Sequence, residues 1–383
     1  MKRIFILLSC LLCAVSINAI ALTPDQPSVA SLRQLVDQQP KLREDILHTL
    51  NSQPENSIWY HASLDDLFSF FNHWLTWIPR PVNIDPKSKY VKSTVSNFPP
   101  GQFNQLINSS PYLRSNHTFM LWLGQFLNAA GISLQSAASA KYLNEWMALP
   151  AVHIQDFIVP KNEYASFNDF FLRKLKPGSR PIAFADRSDV VTSPADCAYD
   201  KPIILLPNQF VNVKGDHLIP AMLLNKSVVP YFEHGGVAVV CHLNITDYHR
   251  FHSPVDGKIV AEGITGGLYY FDPNFYQNIA QHRRAYFVFE TKRGYVGMVT
   301  VGQWIVNSVL LQRHVGDIVH KGDELGHFNL GGSAIVLLFQ SNDINFIKEI
   351  SRSATNVNTK RQSQFSGPWI PMGKHIATLL KSS

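Results

Sequence analysis

Ser333 follows a Gly-Gly pair in "GDELGHFNLGGSAIVLLFQ" (322–340) and directly precedes an uninterrupted apolar run, Ala334 to Phe339. A serine hydroxyl becomes a strong nucleophile only beside a base, and that base needs an acidic group to orient it. Candidates for both occur upstream. The segment "HLNITDYHRFHSPVDG" (242–257) gathers His242, His249 and His252 with Asp247, Tyr248 and Arg250, and "SPADCAYD" (193–200) sets Asp196 after Pro194 in a turn-like context. Asp196, His252 and Ser333 form a chemically sensible triad. Spacing alone does not bring them together, and a bulge at Gly331–Gly332 with structural histidines accounts for the same residues. In extended chain, positions 250 and 252 share one face and 249 takes the other, so the histidines diverge unless a turn at 247–249 intervenes. Ser333 also lacks the strand-turn-helix context of GxSxG, which argues against an α/β-hydrolase.

The elements that must position these groups divide the chain by texture. Residues 22–160 read as a helical N-terminal region. "SVASLRQLVDQQPKLREDILHTLNS", "LDDLFSFFNHWLTWIP" and "NHTFMLWLGQFLNAAGISL" carry apolar residues at helical spacing, with Phe70, Phe71 and Trp74 as packing residues. Beyond about 185, short apolar runs separated by Gly, Pro, Asp and Asn predict strands: "GGVAVVCHLNI", "RAYFVFET", "GYVGMVTVG", "NSVLLQ" and "AIVLLF". Two Gly-Asp turns six residues apart in "VGDIVHKGDELGHF" suit a compact antiparallel domain. The fold class expected is α+β, with helices first and a mainly antiparallel β core over 161–383.

Of the 383 residues, 45% are hydrophobic and 16% charged, enough for a substantial core and inconsistent with disorder. The opening "MKRIFILLSCLLCAVSINAIA" has a basic start, a short apolar run and a small-x-small end, and reads as a signal peptide over 1–21. Its removal lowers the formal charge of +6 by two, to +4, and takes Cys10 and Cys13 with it. Cys197 and Cys241 remain, sufficient for one disulfide; no CxxC pair or HExxH survives, so no metal is expected. No basic and aromatic cluster suggests nucleic acid, while mild attraction to an anionic membrane is compatible with the charge. The expected location is outside the cytosol: periplasmic, envelope-associated or secreted.

Five segments in one order resemble the phosphatidylserine decarboxylase family: "FNDFFLRKLKPGSRPI" (167–182), "SPADCAYD", "DYHRFHSPVDGKI" (247–259), "GYVGMVTVG" (294–302) and "KGDELGHFNLGGSAIVLLF" (321–339). The resemblance implies a chain that cuts itself between Gly332 and Ser333 and converts Ser333 into a covalent pyruvoyl cofactor. It implies Asp196 and His252 as orienter and base for that cut, His249 as the proton-managing group in decarboxylation, and Tyr248 and Arg250 as pocket residues. The α and β chains so produced would stay associated. The implied reaction is carbon dioxide release from phosphatidylserine, giving phosphatidylethanolamine. The N-terminal segment "WYHASLDDLFSFFNHWLTWIPRP" resembles instead the region preceding fungal aromatic amino acid decarboxylase-like proteins, which keeps a small free amino acid such as tryptophan as the alternative substrate. A non-catalytic lipid-binding protein and a serine hydrolase are the readings from other classes. Cys197 departs from the glycine the family usually places after this aspartate.

Overall fold

The structure is a computed structural model that describes residues 25–82, 98–108, 110–205, 211–213, 216–218, 228–232, 235–265, 283–302, 309–329, 333–353 and 367–380. The expected signal peptide, Gly331 and Gly332 lie outside these.

Proline sets the first two helices. Pro27 opens α1 (Pro27–Gln38) and Pro40 opens α2 (Pro40–Asn51), where a missing N–H costs nothing. The sequence pattern runs through this point as one helical stretch, but the residue before a proline is driven out of helical geometry; Gln39 is extended at φ −122° and ψ 94°, and the chain turns there. Ser63 and Asp66 form a reciprocal capping box on α3 (Leu64–Thr76). After α4 (Pro99–Asn108) and α5 (Pro111–Ser115), Asn116 caps α6 (His117–Ser133) by accepting from Phe119 N–H at 3.0 Å. These helices share one aromatic core: Phe71 meets Trp122 and Phe126 with centroids 4.8 Å apart and edge-to-face, while Trp74 packs on Phe126 at 5.2 Å. No helix among the described residues is long and apolar enough to cross a membrane.

Two short helices, α7 (Leu143–Met147) and α8 (Phe167–Phe171), lead into the β region. Its strands are β1 (Phe157–Ile158), β2 (Lys174–Leu175), β3 (Val190–Thr192), β4 (Cys197–Tyr199), β5 (Ile203–Ile204), β6 (Val211–Val213), β7 (Asp216–Leu218), β8 (Val237–Leu243), β9 (Arg250–His252) and β10 (Gly257–Thr265). There follow β11 (Arg284–Thr291), β12 (Gly294–Val301), β13 (Val309–Leu311), β14 (Ile318–Val319), β15 (Glu324–Phe328), β16 (Ser333–Phe339), β17 (Ile344–Phe346), β18 (Trp369–Ile370) and β19 (His375–Leu379). Among the described residues the main sheet runs β14-β10-β11-β12-β16-β8-β4-β18, with β5 also on β8, and every pairing is antiparallel. Two three-stranded sheets, β13-β15-β9 and β17-β19-β3, accompany it.

The apolar run after Ser333 is central for a physical reason. All of β16 is buried; Ile335, Leu337 and Phe339 face one core and Ala334, Val336 and Leu338 face the other. A strand covered on both faces needs no polar alternation. The α+β class with helices first is what the structure has.

Candidate functional site

Ser333 is the first residue of β16, buried, and in register opposite Leu243, the last residue of β8. Strand alternation puts it on the face of Ile335, where Phe251, Leu325 and Phe328 of the β13-β15-β9 sheet also pack. β8 runs from that same end into the histidine segment. Phe328 N–H donates to His249 O at 2.9 Å, and Ser333 follows Phe328 by five residues, a reach of at most about 18 Å. The sheet therefore gathers Ser333 and the histidine segment at one end.

His252 is held at both ring nitrogens. Its Nδ1–H donates to Gly322 O at 2.8 Å, which leaves Nε2 to accept from the Tyr248 hydroxyl at 3.0 Å. Burial pushes its pKa below the usual histidine range, and the Gly322 carbonyl and the charges of Glu324 and Asp196 only partly offset that. The ring is thus a neutral base at pH 7. Burial likewise raises the Tyr248 pKa, keeping the phenol protonated as donor. Gly322 belongs to the second Gly-Asp turn, where Asp323 Oδ2 accepts from His320 N–H at 2.9 Å. Its φ of +88° suits glycine, and a Cβ there would run into Ile182.

Asp196 does not orient His252 by direct contact, contrary to the triad expected from sequence. Its two oxygens receive Arg180 Nε at 2.9 Å and Nη2 at 2.7 Å, and Oδ1 also accepts Met372 N–H at 2.8 Å. A fork-shaped guanidinium matches a carboxylate better than an imidazole can, and the pair is almost fully buried. Asp196 instead anchors its turn, and Pro194 O in that turn accepts the backbone N–H of His252 at 2.8 Å. Cys197, next in sequence, is disulfide-bonded to Cys241 of β8 with Cα atoms 5.5 Å apart.

His249 lies flat on Phe171, centroids 3.8 Å apart, and its Nδ1–H donates to Asp247 O at 3.0 Å. In the neutral ring Nε2 is then the basic nitrogen. The Asp247 carboxylate closes the turn on Asn244 N–H at 2.6 Å; burial, with the Asp196 charge adding, pushes its pKa up to about 7. Arg173, buried beneath, donates from Nη2 to Asp247 O at 3.0 Å, and burial lowers its pKa to about 10, so it stays charged at neutral pH. Arg250 is bonded to Glu324 and to Leu172 O at 2.9 Å, which ties β9 to β15 and to the segment after α8. His242 pairs with Asp200 at 2.9 Å and lies opposite Ala334, on the sheet face away from the Ser333 side chain.

Sequence reasoning gave no role to Arg173, Arg180, Phe171 or the Gly322 carbonyl. The first three lie within "FNDFFLRKLKPGSRPI", where two arginines interrupt an apolar and Pro-Gly stretch. That composition was the available signal. The carbonyl has none in sequence.

Ser333 thus stands buried at the head of a central antiparallel strand, at the sheet end from which the histidine segment departs. The family profile "Phosphatidylserine decarboxylase" matches residues 167–360, and the chain belongs to that family. It is 33% identical over 236 residues to phosphatidylserine decarboxylase proenzyme 3 of Schizosaccharomyces pombe, covering 60% of this chain and 24% of that protein. It is 30% identical over 252 residues to the phosphatidylserine decarboxylase proenzyme of Fusobacterium nucleatum, covering 59% and 82%, and 32% identical over 255 residues to that of Clostridium novyi, covering 64% and 84%. The chain thus spans about a quarter of the length of the fission-yeast relative and most of the two bacterial ones. The family is defined by a pyruvoyl cofactor made from an internal serine.

Proposed function

We propose that the chain is a self-processing, pyruvoyl-dependent carboxy-lyase that converts phosphatidylserine to phosphatidylethanolamine. The supporting observation is the family match over 167–360 together with Ser333 at the head of a doubly covered central strand. A residue so held keeps its place after the bond before it is cut, which fits a cofactor made from it. In the processing step neutral His252 takes the Ser333 hydroxyl proton once the Tyr248 hydroxyl yields Nε2, and the oxygen attacks the Gly332 carbonyl. The peptide becomes an ester. Loss of the Ser333 Cα proton expels the Gly332 carboxylate and leaves dehydroalanine, which hydrolyses to the pyruvoyl group and ammonia. The pyruvoyl group supplies an electron sink for decarboxylation. His249, fixed by Phe171 and Asp247 O, delivers the proton to the substrate carbon, and Arg173 keeps its turn in place.

The same reading includes export and peripheral membrane contact. The Cys197–Cys241 bridge supports an oxidising compartment. The N-terminal helices form an aromatic core of their own, in keeping with an accessory region like that of aromatic amino acid decarboxylase-like proteins, so free tryptophan and serine belong in the assay beside phosphatidylserine.

Intact mass and denaturing electrophoresis test the proposal. Scaling 43.2 kDa over 383 residues, processing releases a fragment of about 6 kDa that begins with a keto group. Ser333→Ala stays full length and releases no carbon dioxide. An uncleaved wild-type chain that decarboxylates nothing would reject the reading.

A further inference from the structure

The two acidic positions flanking the histidines are both gripped by the stretch 367–380. Trp369, at the start of β18, donates its Nε1–H to Asp247 Oδ1 at 3.1 Å. Three residues on, Met372 N–H donates to Asp196 Oδ1 at 2.8 Å, and the neighbouring backbone exchanges bonds with Ser193: Gly373 N–H to Ser193 O at 2.9 Å and Ser193 N–H to Lys374 O at 2.8 Å. The Trp369 indole also stacks on His153, centroids 5.5 Å apart and planes 24° apart. Asp196 is thus reached by a backbone donor and Asp247 by a side-chain donor, which makes the two grips separable by substitution.

Asp247 is a branch point. Its carboxylate takes Trp369 and the Asn244 N–H that closes the turn; its carbonyl takes His249 Nδ1–H and Arg173 Nη2. Whatever moves the carboxylate moves the turn, and with it the carbonyl that aims His249. We infer that Trp369 is a positioning residue for turnover: its indole N–H holds the Asp247 carboxylate, and through the 244–247 turn it fixes the orientation of His249. In the cleaved protein, Trp369 would lie on the small fragment and Asp247 and His249 on the large one, so the small fragment supplies more to turnover than its new terminus. The charged and titratable groups around Asp247 are Arg173 from the segment after α8, Asp196 from the turn before β4, Tyr248 and His249 on its own segment, and His153 across the indole. The inference rests on the proposed function only in giving His249 to turnover.

Trp369→Phe in the full chain is the test, because it keeps a ring to stack on His153 and removes the donor alone. Self-cleavage, followed by denaturing electrophoresis, is expected to stay within about twofold of wild type, since the Met372–Asp196 bond is untouched. Carbon dioxide release from phosphatidylserine in detergent micelles is expected to show kcat lowered on the order of tenfold, the size of a lost hydrogen bond to a buried carboxyl, with KM little changed. The acidic limb of the kcat profile should move to higher pH, because removing a donor to the carboxylate favours its neutral form. A purely structural indole would not move that limb. An unchanged kcat and limb, or loss of cleavage together with turnover, overturns the inference. If wild-type protein neither cleaves nor releases carbon dioxide, the pyruvoyl reading is what fails, and the Trp369–Asp247 tie is read from the side-chain carboxyl titrations of 13C-aspartate-labelled protein. There the resonance identified by Asp247→Asn should titrate at higher pH in Trp369→Phe, and an unmoved titration overturns the tie.

Discussion

Replacing Arg180 by methionine separates the structural role of Asp196 from the triad role that its sequence context suggests. The Arg180 and Asp196 side chains are 7% and 3% exposed, and the pair has two bonds of 2.9 and 2.7 Å. Methionine fills similar space but leaves the Asp196 charge with the Met372 N–H as its remaining partner, and stranding one member of a buried pair costs about 3–5 kcal/mol. A further bond of Arg180, to Asp156 at 2.7 Å, involves a more exposed carboxylate and adds at most about 1 kcal/mol. The denaturant midpoint should fall accordingly. Self-cleavage should slow as the 193–196 turn loosens its hold on the His252 N–H. Adding Asp196→Asn to Arg180→Met removes the stranded charge and should recover much of the stability, a coupling that a double-mutant cycle measures. If Arg180→Met shifts stability by less than about 1 kcal/mol and cleaves at the wild-type rate, the account of Asp196 as an Arg180-bound anchor is wrong.

The cleavage rate should be flat near neutral pH and fall only at acidic pH, because burial holds the His252 pKa below its ordinary 6.5. The sign for stability agrees: the unfolded ring binds a proton more readily than the folded one, so this residue costs stability as pH drops below 6.5 through the lower folded value. A cleavage rate that declines on raising the pH from 6 to 8 would contradict a neutral base. His249→Ala should yield the small fragment at near wild-type rate while carbon dioxide release falls by about two orders of magnitude or more, as for loss of a general acid. Intact turnover in that variant would remove His249 from its proposed role.

Much of the scaffold was legible because it depends on local pattern. The 334–339 run has no polar alternation, and only a strand covered on both sides tolerates that, as β16 is. The Gly-Asp spacing likewise marked real turns at 314–317 and 320–323. The break between the first two helices was also written in Pro40, although apolar spacing overrode it. The site was legible in its cast and not in its contacts. Asp196 and His252 were named, yet which base or cation meets a carboxylate depends on partners far apart in sequence: Arg180 is 16 residues from Asp196, Trp369 is 122 from Asp247, and Gly322 is 70 from His252. Charge complementarity in a buried setting gave Asp196 to the guanidinium, and no spacing rule encodes that choice.

The distribution of strands on either side of position 333 bears on what unfolding would mean for processed protein. β16 sits between β8 and β12, β18 borders β4, and β17 and β19 build a sheet with β3. The proposed cut would leave every one of these pairings intact, and the disulfide lies wholly within the longer piece. Native size would therefore hardly register the event. Reversibility would: an uncut chain refolds as a unimolecular process, whereas two separated pieces must find each other, so the midpoint and recovery become dependent on protein concentration. Dilution would then distinguish protein that has matured from protein that has not.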